Sequence, residues 1–263
     1  MANRIETTLN ELKKRNEKAF ITYITSGLPD MKTTADIIKA QDNTDIIELG
    51  IPFSDPIADG PVIQQASYEA ILAGSTLSGA FDLLKKLRSE GIEKPIVFML
   101  YYNTIVGCGT ENFVKKCHES GVDALIVPDL PLEEQEPLKN ALEKDDRTIL
   151  IQLVSPVSKN RIPEILKDAR GFVYCVSSMG VTGQAADFHK EIINYLSYVK
   201  EVSPIPVMMG FGIRHAKDIV PMKEIIDGAI VGSHFIKVLR ESGFDPASAK
   251  AYSDEFKKEL NEL

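Results

Sequence analysis

Eight short runs of almost continuously apolar residues recur along the chain, and stretches with the periodicity of amphipathic helices separate them. The runs are Phe20–Thr25, Asp45–Leu49, Ile96–Tyr101, Ala124–Val127, Thr148–Leu153, Phe172–Val176, Pro206–Met209 and Ala229–Val231. Parallel strands that are covered on both faces have this character, because neither face meets water. The amphipathic stretches include Leu77–Arg88, Glu111–Glu119, Glu133–Lys144 and Ala216–Ile226. The pattern therefore predicts parallel strands that alternate with helices.

The spacing of the runs favours one architecture. Five of the seven intervals between run starts measure 23 to 28 residues, and the intervals after the second and the sixth run measure 51 and 34. Eight such units predict an α/β protein, a (β/α)8 TIM barrel, in which the loops at the carboxyl ends of the strands build the active site. The two long units therefore point to function. An open doubly wound sheet is the alternative, but the segment TSGLP (25–29) replaces the Gly-x-Gly-x-x-Gly turn that would support it.

Both ends of the chain carry additional helical patterns. A helix from about Ile5 to Asn16 is expected to cover the bottom of the barrel before the first strand, and another is expected over about Ala247–Leu260. No low-complexity linker or change of composition separates a second domain. We therefore expect residues 1–263 to form a single (β/α)8-barrel domain.

The composition excludes several classes of partner. The formal net charge of −8 argues against a nucleic-acid ligand, which requires a basic face. The three cysteines contain no Cys-x-x-Cys pair and the four histidines lack the spacing of zinc ligands, so neither a disulfide framework nor a metal site is expected. No apolar run approaches the length of a membrane span, and the charged start of the chain, 1–15, is unlike a signal peptide. These features predict a cytoplasmic protein with no membrane partner.

The end of the second run carries the strongest candidate chemistry. Glu48 lies at the carboxyl end of a buried strand, where desolvation raises the pKa of a carboxyl group toward the range that suits general acid–base catalysis. The following loop holds Asp55 and Asp59 between three prolines that restrict its backbone. A salt-bridged core glutamate is the alternative for Glu48, and local capping of turns is the alternative for the two aspartates.

The segment ELGIPFSDPIADGPVIQ (48–64) closely resembles the signature of the tryptophan synthase alpha chain family. Further blocks follow in family order over about residues 20–240. They are DLP with two glutamates (129–134), GVTG (180–183), GFGI (210–213) and GAIVGS (228–233). Each glycine block alone is weak, whereas the ordered set with the long acidic segment is specific.

The resemblance implies a lyase that cleaves indole-3-glycerol phosphate to indole and glyceraldehyde 3-phosphate by a retro-aldol reaction. It also implies a beta chain that receives the indole, within an α2β2 heterotetramer. Pyridoxal phosphate is expected only in that beta chain, so no cofactor is expected in this one.

The resemblance also implies roles for individual residues. Glu48 would act as acid and then as base, and Asp59 would accept a hydrogen bond from the indole N–H. The substrate-binding residues would be Tyr101, Tyr174, Thr182, Gly183, Gly210, Phe211, Gly212, Gly232 and Ser233. A barrel-packing aromatic is the alternative for Tyr174, and tight turns are the alternative for the glycines. The phosphate is expected at the loops after the last two strands, where the helix that begins near Ser233 presents free N–H groups.

Two departures and three alternatives accompany the resemblance. Ser178 and Met179 lie where many relatives carry an arginine, which puts in doubt a lid contact that depends on that cation. The strand-1 loop reads SGLP (26–29), whereas Ala-Gly-Asp-Pro is the commoner form in the family. A stand-alone lyase that releases free indole and a mainly non-catalytic subunit that activates a partner remain open. A different phosphate-binding barrel is disfavoured, because no lysine lies at a strand end. The apolar residues Pro52, Ile57, Tyr102 and Ile105 near the mouth would form either a partner surface or the substrate pocket.

Overall fold

The strands form a nearly closed barrel. The structure is a computed structural model that describes residues 3–145, 147–176, 185–210 and 212–263, without the side chains of 185–189. Within these ranges the strands are β1 Ala19–Thr25, β2 Ile46–Gly50, β3 Ile96–Met99, β4 Ala124–Ile126, β5 Ile149–Leu150, β6 Gln152–Val154, β7 Val173–Cys175, β8 Val207–Met209 and β9 Gly228–Val231. All neighbouring strands that pair are parallel, in the order β5-β4-β3-β2-β1-β9-β8-β7-β6.

The barrel is closed by a strand in two pieces. β5 and β6 lie at opposite ends of the sheet order, yet Ile151 alone separates them in the chain. The predicted run Thr148–Leu153 therefore pairs with one neighbour through its first half and with the other through its second half. The predicted (β/α)8 TIM barrel is confirmed, with eight strand positions of which one is interrupted.

Helices surround the barrel and account for the longest interval in the sequence. In the described part of the chain they are α1 Arg4–Arg15, α2 Met31–Ala40, α3 Pro61–Leu72, α4 Leu77–Ser89, α5 Tyr102–Cys108, α6 Thr110–Ser120, α7 Glu136–Leu142, α8 Ile162–Leu166, α9 Ala185–Val202, α10 Ser233–Glu241 and α11 Pro246–Glu262. Both α3 and α4 lie between β2 and β3, so an added helix explains the interval of 51 residues. None of the described helices is long and apolar enough to cross a membrane.

Two predicted helices differ in detail from the structure. The stretch Ala216–Ile226 forms the 3₁₀ segment Ala216–Met222, because Pro221 lies inside it and cannot donate an α-helical hydrogen bond. The stretch Glu133–Lys144 divides into a 3₁₀ turn, Leu132–Glu134, followed by α7.

The barrel interior is filled from its amino-terminal end. Inward-facing apolar residues of the strands form one cluster, and Ile5, Leu9 and Leu12 of α1 belong to it. Outward-facing strand residues pack under the helices in a second, larger cluster. The first helix therefore closes the bottom of the barrel, as predicted, and polar inward side chains are left at the carboxyl end.

Three aspartates tie neighbouring strands together at the bottom, and one of them, Asp123, is almost fully buried. Asp45, Asp123 and Asp227 precede β2, β4 and β9, and each carboxylate accepts a backbone N–H from the strand beside its own. The donors are Phe20, Ile96 and Val207, at 2.7, 2.8 and 2.7 Å. Each carboxylate also pairs with a cation, namely Lys257, Arg88 and Lys200 at 2.7, 2.7 and 2.6 Å. These contacts hold the strand order at the end of the barrel opposite the mouth.

Replacing Asp123 by asparagine is expected to lower the free energy of unfolding by about 3 kcal/mol. The substitution leaves the largely buried Arg88 without the charge of its buried partner. The matched control is Glu93→Gln. Glu93 belongs to the same group of charges, because it pairs at 2.7 Å with Arg4, which also contacts Asp123. Unlike Asp123, Glu93 is exposed. That control should cost less than about 1 kcal/mol. Urea unfolding compares the two, and equal losses would contradict the role given to Asp123.

Candidate active site at the barrel mouth

Glu48 lies inside the barrel near the carboxyl end of β2. Its side chain shares the inward face with Ile46, and the residue is only 1% exposed. Its Oε2 has no hydrogen-bond partner among the described residues. Burial, with a further contribution from the Asp59 carboxylate, raises the pKa of Glu48 to about 8. The carboxyl group is therefore mostly protonated at neutral pH, and it can give a proton and take one back.

Asp59 is held in place by a tyrosine from the next strand unit. The hydroxyl of Tyr101 donates to Asp59 Oδ2 at 2.9 Å and accepts the Ala58 N–H at 2.9 Å. The ring of Phe53 stacks on Tyr101 with centroids 5.0 Å apart. Burial raises the pKa of Asp59, and the hydrogen bond from Tyr101 opposes that rise. Tyr101, predicted as a substrate contact, is thus also the anchor of the Asp59 loop.

The ring of Tyr174 lies across a glycine that follows the neighbouring strand. A Cβ atom at Gly210 would lie 2.3 Å from the Tyr174 ring, so no larger residue fits there without moving the ring. Burial raises the pKa of the Tyr174 phenol, with smaller contributions from Glu48 and Asp59. Gly210 was predicted to allow close approach of the phosphate, and the structure places an aromatic ring against it.

Tyr23 repeats this arrangement on the other side and was not among the predicted site residues. It is in register with Glu48 on the neighbouring strand, and its ring lies across Gly50. The pKa of Tyr23 is raised by burial and then by Asp59. The alternation of inward and outward residues along β1, which places Tyr23 on the face of Ile21, was the signal that could have found it.

The predicted phosphate site lies at the start of α10. Gly232 is the residue before the helix, and a Cβ atom there would lie 3.6 Å from the Tyr23 Cβ, which places this helix end beside the cavity. Ser233 is exposed at the first position of α10, where backbone N–H groups have no partner within the helix. Gly212 has a φ of 71°, a conformation that favours glycine.

The structure therefore brings together about half of the predicted site residues. Glu48, Asp59, Tyr101, Tyr174 and Gly210 meet at the mouth, and Gly232 borders it. Thr182, Gly183 and Phe211, like Ser178, lie outside the described residues. Across the ranges that are described, no group of three or more His, Cys, Asp and Glu side chains is placed to hold a metal ion.

The fold and the site together define a class of protein. A (β/α)8 barrel whose mouth holds a carboxyl group with a pKa of about 8, a second anchored carboxylate and two buried phenols has the groups that are typical of a general acid–base enzyme.

Comparison with known proteins specifies the class further. The model of the tryptophan synthase alpha chain family matches residues 9–263. The tryptophan synthase alpha chain of Lachnospira eligens is 60% identical over 262 residues, which cover 98% of this chain and 99% of that one. The alpha chain of Alkaliphilus metalliredigens is 43% identical, with 100% and 98% covered. The solved structure of tryptophan synthase subunit alpha from Legionella pneumophila str. Paris superposes with a TM-score of 0.89 at 30% identity, and each chain is covered completely.

The chain belongs to the tryptophan synthase alpha chain family. The function expected from the resemblance is thereby confirmed: it is a lyase of tryptophan biosynthesis that cleaves indole-3-glycerol phosphate.

Proposed function

We propose that Glu48 and Asp59 carry out this cleavage together, with Glu48 as the proton carrier and Asp59 as the partner of the indole nitrogen. The observation that carries the proposal is the buried Glu48 carboxyl, which has a free oxygen and a pKa of about 8 beside an Asp59 that Tyr101 holds in place.

The reaction requires a proton before the carbon–carbon bond can break. An indole carbanion is a poor leaving group, so protonated Glu48 first gives its proton to indole C3. Asp59 accepts a hydrogen bond from the ring N–H and stabilises the positive charge that develops on nitrogen. The Glu48 carboxylate then takes the proton of the side-chain hydroxyl. The bond to C3 breaks, its electron pair returns to the ring as indole, and the oxygen becomes the carbonyl of glyceraldehyde 3-phosphate.

The substrate phosphate is proposed to bind at the opposite side of the mouth. The first N–H groups of α10 at Ser233 attract an anion, and Gly212 and Gly232 leave the backbone open to it. Thr182, Gly183 and Phe211 complete this binding site in the proposal. Tyr174 and Tyr101 would line the indole pocket.

The cleavage should depend on pH as a bell-shaped curve. In the free enzyme, kcat/KM should rise as Asp59 ionises, at a pH above the ordinary range of aspartate, because burial raises its pKa. It should fall as Glu48 loses its proton near pH 8, since only the protonated form can start the reaction. Indole release measured from pH 4 to pH 10 checks both limbs. A rate that keeps rising through pH 9 would contradict the role of Glu48 as the initial acid.

A beta chain is the proposed partner, within an α2β2 heterotetramer, and pyridoxal phosphate would be bound by that chain alone. Three exposed apolar residues in segments that follow strands at the mouth support docking there. Ile57, Val106 and Val157 are 83%, 54% and 86% exposed. Ile105, considered for this surface on sequence grounds, is fully buried and cannot belong to it. The free cysteines favour a reducing, cytoplasmic location.

A stand-alone lyase that releases free indole is the second candidate function. The same active site would serve a stand-alone lyase. The exposed apolar residues at the mouth favour an enzyme with a partner instead, since without a partner these side chains would face only water. The dependence of indole release on a beta chain distinguishes the two.

A further inference from the structure

Tyr23 is a buried phenol at the centre of the site to which the proposed mechanism gives no role. It is 4% exposed, and it is in register with Glu48 on the adjacent strand. Its hydroxyl oxygen would lie 2.1 Å from a Cβ atom at Gly50. Residues 48 and 50 follow each other on the inward face of β2, at a separation of about 7 Å. The hydroxyl therefore lies at the level of Gly50, one inward-facing position from Glu48 toward the mouth.

The hydrogen-bonding capacity of this hydroxyl is largely unused. In the described part of the chain, its one hydrogen bond is a long bond of 3.5 Å that it accepts from Thr25 Oγ1. Its own proton therefore has no acceptor there. Glu48 Oε2, on the adjacent strand, also lacks a partner among the described residues. Buried polar groups are nearly always hydrogen-bonded. A free donor and a free carboxyl oxygen at neighbouring positions therefore indicate a ligand atom that accepts a hydrogen bond from one and donates a hydrogen bond to the other.

The substrate carries such an atom. The hydroxyl next to indole C3 donates the proton that Glu48 takes, and its lone pairs accept a hydrogen bond at the same time. Burial and the nearby carboxylates of Asp59 and Glu48 raise the pKa of Tyr23, so the phenol keeps its proton throughout the pH range of the reaction. Tyr23 is thus a permanent donor, whereas Glu48 changes its protonation state.

We propose that Tyr23 is a further catalytic residue, whose hydroxyl donates a hydrogen bond to the substrate oxygen from which Glu48 takes the proton. This inference rests on the role proposed for Glu48. As the O–H bond and the bond to C3 break, the oxygen gains negative charge before it becomes a carbonyl. A donor fixed at that position stabilises the charge without giving up its proton, and it is needed most in the transition state.

The test is the substitution Tyr23→Phe, which removes the hydroxyl and keeps the ring across Gly50. We expect kcat for indole release to fall about 10²-fold, the effect of removing one donor from such a site, with KM nearly unchanged. The matched control is Tyr195→Phe. Tyr195 is also buried and donates to the Val154 carbonyl at 2.7 Å, but it packs in the outer core. The control should lower the urea midpoint and leave kcat as it is.

Glu48→Gln, measured in parallel, separates this inference from the proposed function. Loss of indole release in Glu48→Gln with parental kcat in Tyr23→Phe would overturn the inference and leave the role of Glu48 intact. An active Glu48→Gln would overturn both. A raised KM with parental kcat in Tyr23→Phe would show that the hydroxyl contacts the substrate only in the ground state. A shift of the alkaline limb of the pH–rate profile would show that Tyr23 acts through Glu48. Either result overturns the inference. A substrate analogue with hydrogen in place of the side-chain hydroxyls should bind equally to parent and Tyr23→Phe, and weaker binding to the variant would contradict it.

Discussion

Glu48→Gln is expected to lower kcat for cleavage of indole-3-glycerol phosphate about 10²–10⁴-fold, the range that a positioned acid–base group contributes. Glutamine has nearly the same shape but can neither give a proton to indole C3 nor take one from the side-chain hydroxyl. KM should change little, because the phosphate and the ring are bound elsewhere in the site. Single-turnover measurement of indole formation reports the chemical step without the contribution of product release.

The fold should survive this substitution. The Glu48 carboxyl is buried, and its Oε2 has no partner among the described residues. Replacement by the neutral amide of glutamine therefore breaks no ion pair and should cost little stability. The matched control is Asp45→Asn at the opposite end of the barrel. Asp45 is largely buried and paired with Lys257, so its replacement should lower stability and preserve kcat. A Glu48→Gln variant that cleaves at near the parental rate would contradict the assignment of Glu48.

Asp59→Asn is expected to lower kcat about 10²-fold, because a neutral amide cannot stabilise the charge that develops on the indole nitrogen. The asparagine oxygen can still accept the hydrogen bond from Tyr101, so the loop should keep its conformation. Asp59 also raises the pKa of Glu48. The alkaline limb of the residual activity should therefore move to lower pH, which a loss of folding alone would not produce.

The control for Asp59 lies four residues earlier in the same loop. Asp55 is exposed, and its carboxylate accepts from the Ser54 hydroxyl at 2.5 Å, away from the cavity. Asp55→Asn should retain parental kcat in the isolated chain. If both variants lost activity equally, the loop conformation would be the cause and the specific role of Asp59 would be wrong.

The fold was predictable because the hydrophobic pattern of a barrel is periodic and local. Strands covered on both faces have sequences of almost continuously apolar residues, and each predicted run overlaps an observed strand. The break at Ile151 was not predictable, because the residue is as apolar as its neighbours and only the closure of the sheet divides the run. Ile105 was a candidate for either a partner surface or the substrate pocket for a similar reason: the side of α5 that faces the core depends on tertiary packing.

The site was predictable in part. Glu48 was identifiable as an acid at the end of an apolar strand, and its environment matches that prediction. The different roles of Asp59 and Asp55 depend on the hydrogen bond from Tyr101 to Asp59. Tyr101 is 42 residues away in sequence, so no local sequence pattern reveals this contact. The pairing of Tyr23 with Gly50 and of Tyr174 with Gly210 likewise joins neighbouring strands that are distant in sequence. Such contacts exist only once the barrel has closed.

The most direct test of the central claim, that the site in this chain performs the cleavage, is the release of indole by the purified chain with and without a tryptophan synthase beta chain. We predict that the chain alone converts indole-3-glycerol phosphate to equal amounts of indole and glyceraldehyde 3-phosphate, and that a beta chain raises the rate. No release in either condition would contradict the claim and leave the chain as an interaction subunit only.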